Sequence, residues 1–355
     1  MKQLQKEYKR IVVKIGSSLM YQEEGGFSRA KIGEIVSQVA ELSSAGKEII
    51  LVSSGAIALG MSILKLHTRP KELSVLQAAA AIGQHELMDI YRDFFKEKGL
   101  NCAQLLLTWE DFDNRRRYLN AKNTISTLLK LKSIPVVNEN DTVSIEEIKF
   151  GDNDQLSALV ATLINADLLI ILSDVDGLLD SDKKVVSMVE KISPQLKALA
   201  CPTSKKTCVG GMVTKIKAAE IAVSAAIPCI IANGRKKNVI KSCVLEAHNT
   251  GTLFLPKITS LTARKRWIGF GAKAKGNIIV DEGAKKAVFN NKSLLSVGVA
   301  ALRGDFKSGD IVSICDKECV EFARGKVAVS AKQLESVKGR RFEKEIVHRD
   351  NIVVL

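Results

Sequence analysis

Pro135–Ala158, PVVNENDTVSIEEIKFGDNDQLSA, holds a strand end, a polar loop and a helix start within 24 residues. The apolar run Ile134–Val137 predicts a short strand, and a helical pattern begins near Leu156. Between them lie two clusters of carboxylates and carboxamides, Asn138-Glu139-Asn140-Asp141 and Gly151-Asp152-Asn153-Asp154. Loops that follow strands are where α/β proteins build ligand sites. Side chains this polar and this dense suit a ligand with both an ammonium and carboxylates, or a metal. They equally suit a solvated, turn-rich loop, because Asn, Asp and Gly favour turns.

The same strand–loop–helix unit recurs on both sides. Strands are predicted at Arg10–Ile15, Glu48–Val52, Cys102–Leu107, Asp167–Leu172 and Pro228–Ala232, and helices at Ala30–Ala45, Leu73–Lys98, Arg117–Leu131, Leu156–Ala166 and Thr214–Ala226. This alternation predicts an α/β fold with a mainly parallel sheet covered by helices on both faces. After Gly251-Thr252-Leu253-Phe254 the pattern changes to short strands between turns, at Gly276–Val280, Ser296–Val299, Asp310–Ile314, Glu321–Val329 and Asn351–Leu355. That spacing predicts a small C-terminal β-barrel with one or two helices. The expected domains are residues 1–257 and 262–355.

Composition narrows the function classes. The chain has 355 residues, 46% of them apolar, and so has material for two cores. No run of 18 apolar residues predicts a membrane span. The start, MKQLQKEYKR, lacks the apolar middle of a signal peptide, so a cytoplasmic protein is expected. The 7 cysteines are scattered without C-x-x-C, and the 4 histidines form no H-E-x-x-H, which leaves zinc and thiol chemistry unsupported. Net charge is +14, and residues 258–355 alone hold 19 basic against 11 acidic residues. Such an excess suits an anionic partner or a solubilising surface.

Five elements carry the residue types of a phosphate site. They are Lys14-Ile15-Gly16-Ser17-Ser18, Val52-Ser53-Ser54-Gly55-Ala56, the Asn138–Asp154 loop, Ser173-Asp174, and Gly210-Gly211-Met212-Val213-Thr214-Lys215 at a helix start. Small residues at strand ends let a ligand approach backbone N–H groups, and helix N-termini attract anions. Neither the G-x-x-x-x-G-K-[ST] loop nor G-x-G-x-x-G is present.

At these residues the chain resembles the glutamate 5-kinases, a branch of the amino acid kinase family with a C-terminal PUA domain. VVKIGSS, VSSGAIALG, YLNAKNT, VVNENDTV, EIKFGDNDQLSALVA, LSDVDGL, GGMVTK and GTLF carry the resemblance in the first part, and RKRWI, VDEGA and VHRDNIVVL in the second. The resemblance implies an αβα sandwich around a mostly parallel eight-stranded sheet. It implies transfer of phosphate from ATP, with Mg²⁺, to the γ-carboxylate of L-glutamate, the first step of proline biosynthesis. It also implies feedback inhibition by proline and a homo-oligomer.

Site roles follow by position in the resemblance. Lys14 is expected at the transferring phosphoryl group, Lys215 on the leaving side, and Asp152 between the two lysines. Ser54, Gly55, Asp141, Asn153 and Asp154 are expected to hold glutamate, with Asp141 on its α-ammonium. Ser173, Asp174 and Gly210, Gly211, Met212, Val213, Thr214 and Lys215 are expected along ATP, with no protein ligand for the metal. The chain departs from the family at Cys208-Val209, where Gly-Thr is usual, and at Lys205-Lys206, where small residues are usual. Two other readings remain at this point: a related kinase for acetylglutamate or aspartate, which the Asn138–Asp141 cluster opposes, and an RNA-binding protein, opposed by the scarcity of aromatic platforms.

Overall fold

A computed structural model describes residues 7–22, 26–143, 153–200, 211–245, 250–256 and 262–355. The chain forms two compact units, Met1–Asp111 with Arg115–Ile258, and Phe112–Asn114 with Thr259–Leu355.

The first unit is built on one eight-stranded sheet. Its strands are β1 Arg10–Ile15, β2 Glu48–Val52, β3 Asn101–Leu107, β4 Ser133–Glu139, β5 Leu168–Ser173, β6 Met188–Val189, β7 Cys229–Asn233 and β8 Thr252–Phe254. They lie in the order β3-β4-β2-β1-β5-β7-β8-β6. Neighbours from β3 to β7 run parallel, whereas β8 is antiparallel to β7 and parallel to β6. The connecting helices are α1 Arg29–Ser44, α2 Ala56–Ile63, α3 Leu73–Glu97, α4 Arg115–Lys130, α5 Asp154–Ile164, α6 Met212–Ser224 and α7 Val239–Leu245.

Strand alternation sends successive side chains to opposite faces. Ile11, Val13 and Ile15 of β1 enter a core with Ile32, Ile35, Val36 and Val39 of α1, Tyr91 of α3 and Ile240 of α7. Val12 and Lys14 therefore face the other way, toward α5, whose side chains from Leu156 to Ile164 are buried. Both faces are covered, as an all-buried parallel sheet requires.

Helices α2 and α3 approach unusually closely through glycine. A Cβ at Gly60 would lie 1.8 Å from the Ala79 carbonyl oxygen, and one at Gly83 1.9 Å from that of Ala56. This contact seats the N-terminus of α2, and with it Gly55, beside the sheet edge. Periodicity did not find α2, because Ala56–Ile63 is apolar all round; β6 and β8 were too short to register.

The second unit has a five-stranded, mostly antiparallel sheet. Its strands β9 Asn277–Val280, β10 Val299–Arg303, β11 Ile311–Cys315, β12 Glu321–Lys326 and β13 Ile352–Val354 run in the order β10-β9-β11-β12-β13. Only β9 and β11 pair in parallel. Helices α8 Glu282–Phe289 and α9 Ala331–Val337 add Val288 and Leu334 to its core. The strand expected at Ser296–Val299 is instead a single 3-10 turn, Ser296–Gly298, leading into β10. Gly298 is packed against Ala284, where a Cβ would come within 2.4 Å of the Ala284 methyl. Phe112–Asn114, although early in sequence, is part of this unit: the Trp267 indole N–H donates to the Phe112 carbonyl (2.8 Å).

Among the described residues no helix is long and apolar enough to cross a membrane.

Candidate active site

Lys14 is the last polar residue of β1, on the α5 face, and its ammonium is almost fully buried. Its Nζ lies 2.5 Å from Oδ1 of Asp154, the first residue of α5. From α6, Lys215 Nζ lies 3.2 Å from the other oxygen of the same carboxylate. Relative exposure is 5% for the Lys14 side chain, 8% for Lys215 and 0% for Asp154. Thr214 Oγ1 donates to Asp154 Oδ2 at 3.1 Å, and Lys215 Nζ also donates to the Gly211 carbonyl at 3.1 Å. Charges removed from water in this way are retained only with paired, hydrogen-bonded partners.

The carboxylate joining the two lysines is thus that of Asp154, a role the sequence reading gave to Asp152. Asp152 lies outside the described residues. Both oxygens of Asp154, expected to hold glutamate, face lysine ammoniums. The physical reason is the helix start. Successive residues at a helix N-terminus diverge by about 100°, so Asn153 and Asp154, adjacent in sequence, serve different neighbours.

Asn153 points toward β2 and β4. Its Nδ2 donates to the Ser53 carbonyl (2.5 Å) and to Asn138 Oδ1 (2.6 Å). Asparagine at an N-cap usually bonds to its own helix, yet this side chain makes no capping bond. Ser54 and Gly55 follow Ser53 at the N-terminus of α2. Ser54 Oγ is buried with no hydrogen-bond partner among the described residues, a cost that a bound ligand's polar group would relieve. Gly55 has φ +94°, in the left-handed region that favours glycine, and a Cβ there would meet Met20 Sδ at 3.0 Å. Asp141 sits in the turn that follows β4 and is half-buried.

On the other side of β1, Ser173 ends β5 and is buried, while Asp174 beside it is exposed. Partial burial pushes the Asp174 carboxyl up, but hydrogen bonds from Ser173, its own backbone and Ser18, with the Lys215 charge, bring it below the ordinary carboxylate value. Gly16 lets β1 and β5 end side by side: its N–H donates to the Leu172 carbonyl (3.0 Å), and a Cβ would crowd that oxygen at 3.1 Å. Gly211 opens α6 with φ +67°, followed by Met212, Val213, Thr214 and Lys215; Gly210, Cys208, Val209 and Lys205-Lys206 lie outside the described residues.

Sequence reasoning missed several residues. Thr214 was expected along the nucleotide and also touches Asp154. Ser53 Oγ and the Tyr91 hydroxyl lie 3.0 Å apart beneath the Ser54 loop, and burial raises the Tyr91 phenol, with the Ser53 bond opposing. Gln84, three residues beyond a run of alanines on α3, bonds to Asn138 at 2.8 Å. Nothing in the surrounding pattern, which also holds Gln77, His85 and Glu86, set it apart.

Two lysines and one aspartate thus meet at the carboxyl edge of this sheet, with glycines opening the adjoining helices. A sequence profile of the amino acid kinase family matches residues 9–233 and one of the PUA domain matches residues 276–349. The chain belongs to the amino acid kinase family. Among curated relatives it is 47% identical over 364 residues to the glutamate 5-kinase of Caldanaerobacter subterraneus subsp. tengcongensis, covering 98% of each chain. It is 43% identical over 371 residues to that of Syntrophotalea carbinolica, covering 99% of each. Among solved structures, N-acetylglutamate synthase from Neisseria gonorrhoeae, complexed with coenzyme A and N-acetyl-glutamate, superposes with a TM-score of 0.53 at 13% identity, over 71% of this chain and 60% of that one, which speaks to the fold alone.

Proposed function

We propose that the protein transfers the γ-phosphoryl group of ATP to the γ-carboxylate of L-glutamate, producing L-glutamyl 5-phosphate and ADP, the first step of proline biosynthesis. The observation that carries this reading is the buried Lys14–Asp154–Lys215 bridge, in a chain that matches glutamate 5-kinases over 98% of its length.

A γ-carboxylate oxygen attacks the γ-phosphorus as the bond to the β-phosphate oxygen breaks. The nucleophile is already an anion, so no general base is needed. The barrier lies in bringing a carboxylate to a polyanion and stabilising the charge in flight. Lys14, at the end of β1, would contact the transferring group. Lys215, in the first turn of α6, would stabilise the leaving phosphates, with the N–H groups at that helix start adding to the field. Asp154 holds both ammoniums in register, so they need not reorganise during transfer. Ser54, Gly55, Asp141 and Asn153 would hold glutamate, Asp141 selecting a free amine over an acetylated one. Ser173, Asp174 and Gly211–Lys215 would follow the nucleotide.

Mg²⁺ bound to the nucleotide phosphates would neutralise part of their charge. On the family resemblance we also propose proline as a feedback inhibitor and a homo-oligomeric state, read by L-proline competition against L-glutamate and by sedimentation.

The test is ATP- and L-glutamate-dependent trapping of the acyl phosphate as hydroxamate. Turnover with L-glutamate is expected; turnover with N-acetyl-L-glutamate or L-aspartate instead would overturn the reading. Asp141→Ala is expected to raise KM for L-glutamate by about 10- to 100-fold, the worth of a hydrogen bond to a charged group, with KM for ATP little changed.

A further inference from the structure

A chain of four carboxamides runs from the exposed edge strand to the substrate pocket. Gln84 Nε2 donates to Gln104 Oε1 of β3 (2.9 Å), Asn138 Nδ2 donates to Gln84 Oε1 (2.8 Å), and Asn153 Nδ2 donates to Asn138 Oδ1 (2.6 Å). Gln84, Asn138 and Asn153 are buried, and Gln104 is exposed. The close α2–α3 contact at Gly83 holds Gln84 at this depth.

Oxygen and nitrogen of an amide are alike in shape, so direction must come from groups whose role is fixed. Two backbone groups supply it. The Glu139 N–H donates to Asn138 Oδ1 at 2.9 Å, which makes that atom an acceptor and leaves Asn138 Nδ2 to face Gln84. The Ser53 carbonyl accepts from Asn153 at 2.5 Å, which makes that atom the nitrogen. Both Nδ2 hydrogens of Asn153 are then committed, one to Ser53 and one to Asn138. What Asn153 offers a ligand is therefore Oδ1, an acceptor.

We infer that Gln84 is a positioning residue: its amide oxygen locks Asn138, and through it Asn153, so that Asn153 presents an acceptor to the ammonium of an amino-acid substrate. The two backbone groups set which atom of each amide faces which way; Gln84 holds Asn138, and so Asn153, at the angle that aims the acceptor at that ammonium. The inference rests on the glutamate reading above and adds to it a side chain that keeps the pocket's acceptor in place.

The test is steady-state kinetics of the full-length enzyme varying L-glutamate and ATP separately, with glutarate, which lacks the ammonium, as a competitive probe. Gln84→Leu removes the acceptor for Asn138. It is expected to raise KM for L-glutamate about tenfold, as loss of ground-state binding does, with kcat and KM for ATP within about twofold and glutarate inhibition unchanged. Gln84→Glu keeps an acceptor toward Asn138 and is expected to restore most of the L-glutamate affinity. Equal rises in both KM values, or no change in either, overturn the inference. If Gln84→Leu does not fold, Gln104→Ala at the exposed end serves: a rise of about two- to threefold confined to L-glutamate supports the relay, and no rise overturns it. A parent enzyme that ignores L-glutamate overturns the proposed function and this inference together; a parent that uses L-glutamate beside an unaltered variant overturns this inference alone.

Discussion

Lys14 and Lys285 each pair with an aspartate, one in each unit of the chain, and the two pairs behave differently. Lys14 shares Asp154 with Lys215 under complete burial of the carboxylate. Lys285 meets Asp316 at 2.9 Å with 26% and 11% of the side chains exposed, and its ammonium also lies 5.6 Å from the centre of the Phe322 ring. The second arrangement is a partly exposed pair, weaker and more open to screening by salt. The first costs desolvation of three ionised groups, and an apolar replacement of a buried cluster is often as stable or more so. Charge placed at such a cost marks the carboxyl edge of the parallel sheet as the working part.

Asp154→Asn attacks that contrast most directly. It leaves two buried ammoniums with a neutral partner, and kcat is expected to fall by about a hundredfold or more, the scale for losing a preorganised charge-stabilising device. Single-turnover hydroxamate formation measures it. A loss below about threefold would show that the lysines do not depend on Asp154. The same change is expected to destabilise the first unit by about 3–5 kcal/mol, as breaking a buried pair does.

Gly83→Ala addresses the scaffold beneath. A methyl group there meets the Ala56 carbonyl and must push α2 from α3. Overpacking of this kind costs about 1–3 kcal/mol, visible as a lower Tm. Because α2 carries Gly55 and α3 carries Gln84, KM for L-glutamate is expected to rise more than KM for ATP. An unchanged Tm would mean the helices separate freely.

Lys285→Met gives the smallest effect and tests the other side of the comparison. The hydrogen bond with Asp316 holds the aspartate below its ordinary value and lifts the lysine above its own. A lowered carboxyl contributes stability above its unfolded pKa, about 3.9, and loses it as pH falls through the folded value. A raised ammonium contributes below about 10.4 and loses it as pH rises through the folded value. Between those limits the pair stabilises the C-terminal unit. Calorimetry of the variant should show flatter acid and alkaline limbs of Tm against pH, with catalytic constants unchanged. An altered kcat would contradict the division of labour.

The alternation of apolar runs and polar loops made the parallel sheet readable, because buried strands and helices repeat with fixed periods. The junctions at Lys14, Ser54, Ser173 and Lys215 were readable for a related reason: glycine, hydroxyl and lysine at strand ends and helix starts have few other uses together. Helix α2 escaped, since a segment apolar on every side has no period. The 3-10 turn at Ser296–Gly298 escaped because so short a turn running straight into a strand leaves no period of its own.

The order of residues in GDND shows where the sequence stops. The resemblance set Asp152 between the two lysines and Asn153 and Asp154 on glutamate, whereas the carboxylate found against both lysines is that of Asp154. Asp154 takes that place because α5 begins there, on the face where Lys14 points, with Lys215 arriving from 61 residues away. Gln84 joins Asn138 across 54 residues through a helix contact that only glycine permits. Periodicity is a local property and the chain writes it plainly. Convergence depends on sheet order and helix depth, which arise only when the whole unit packs.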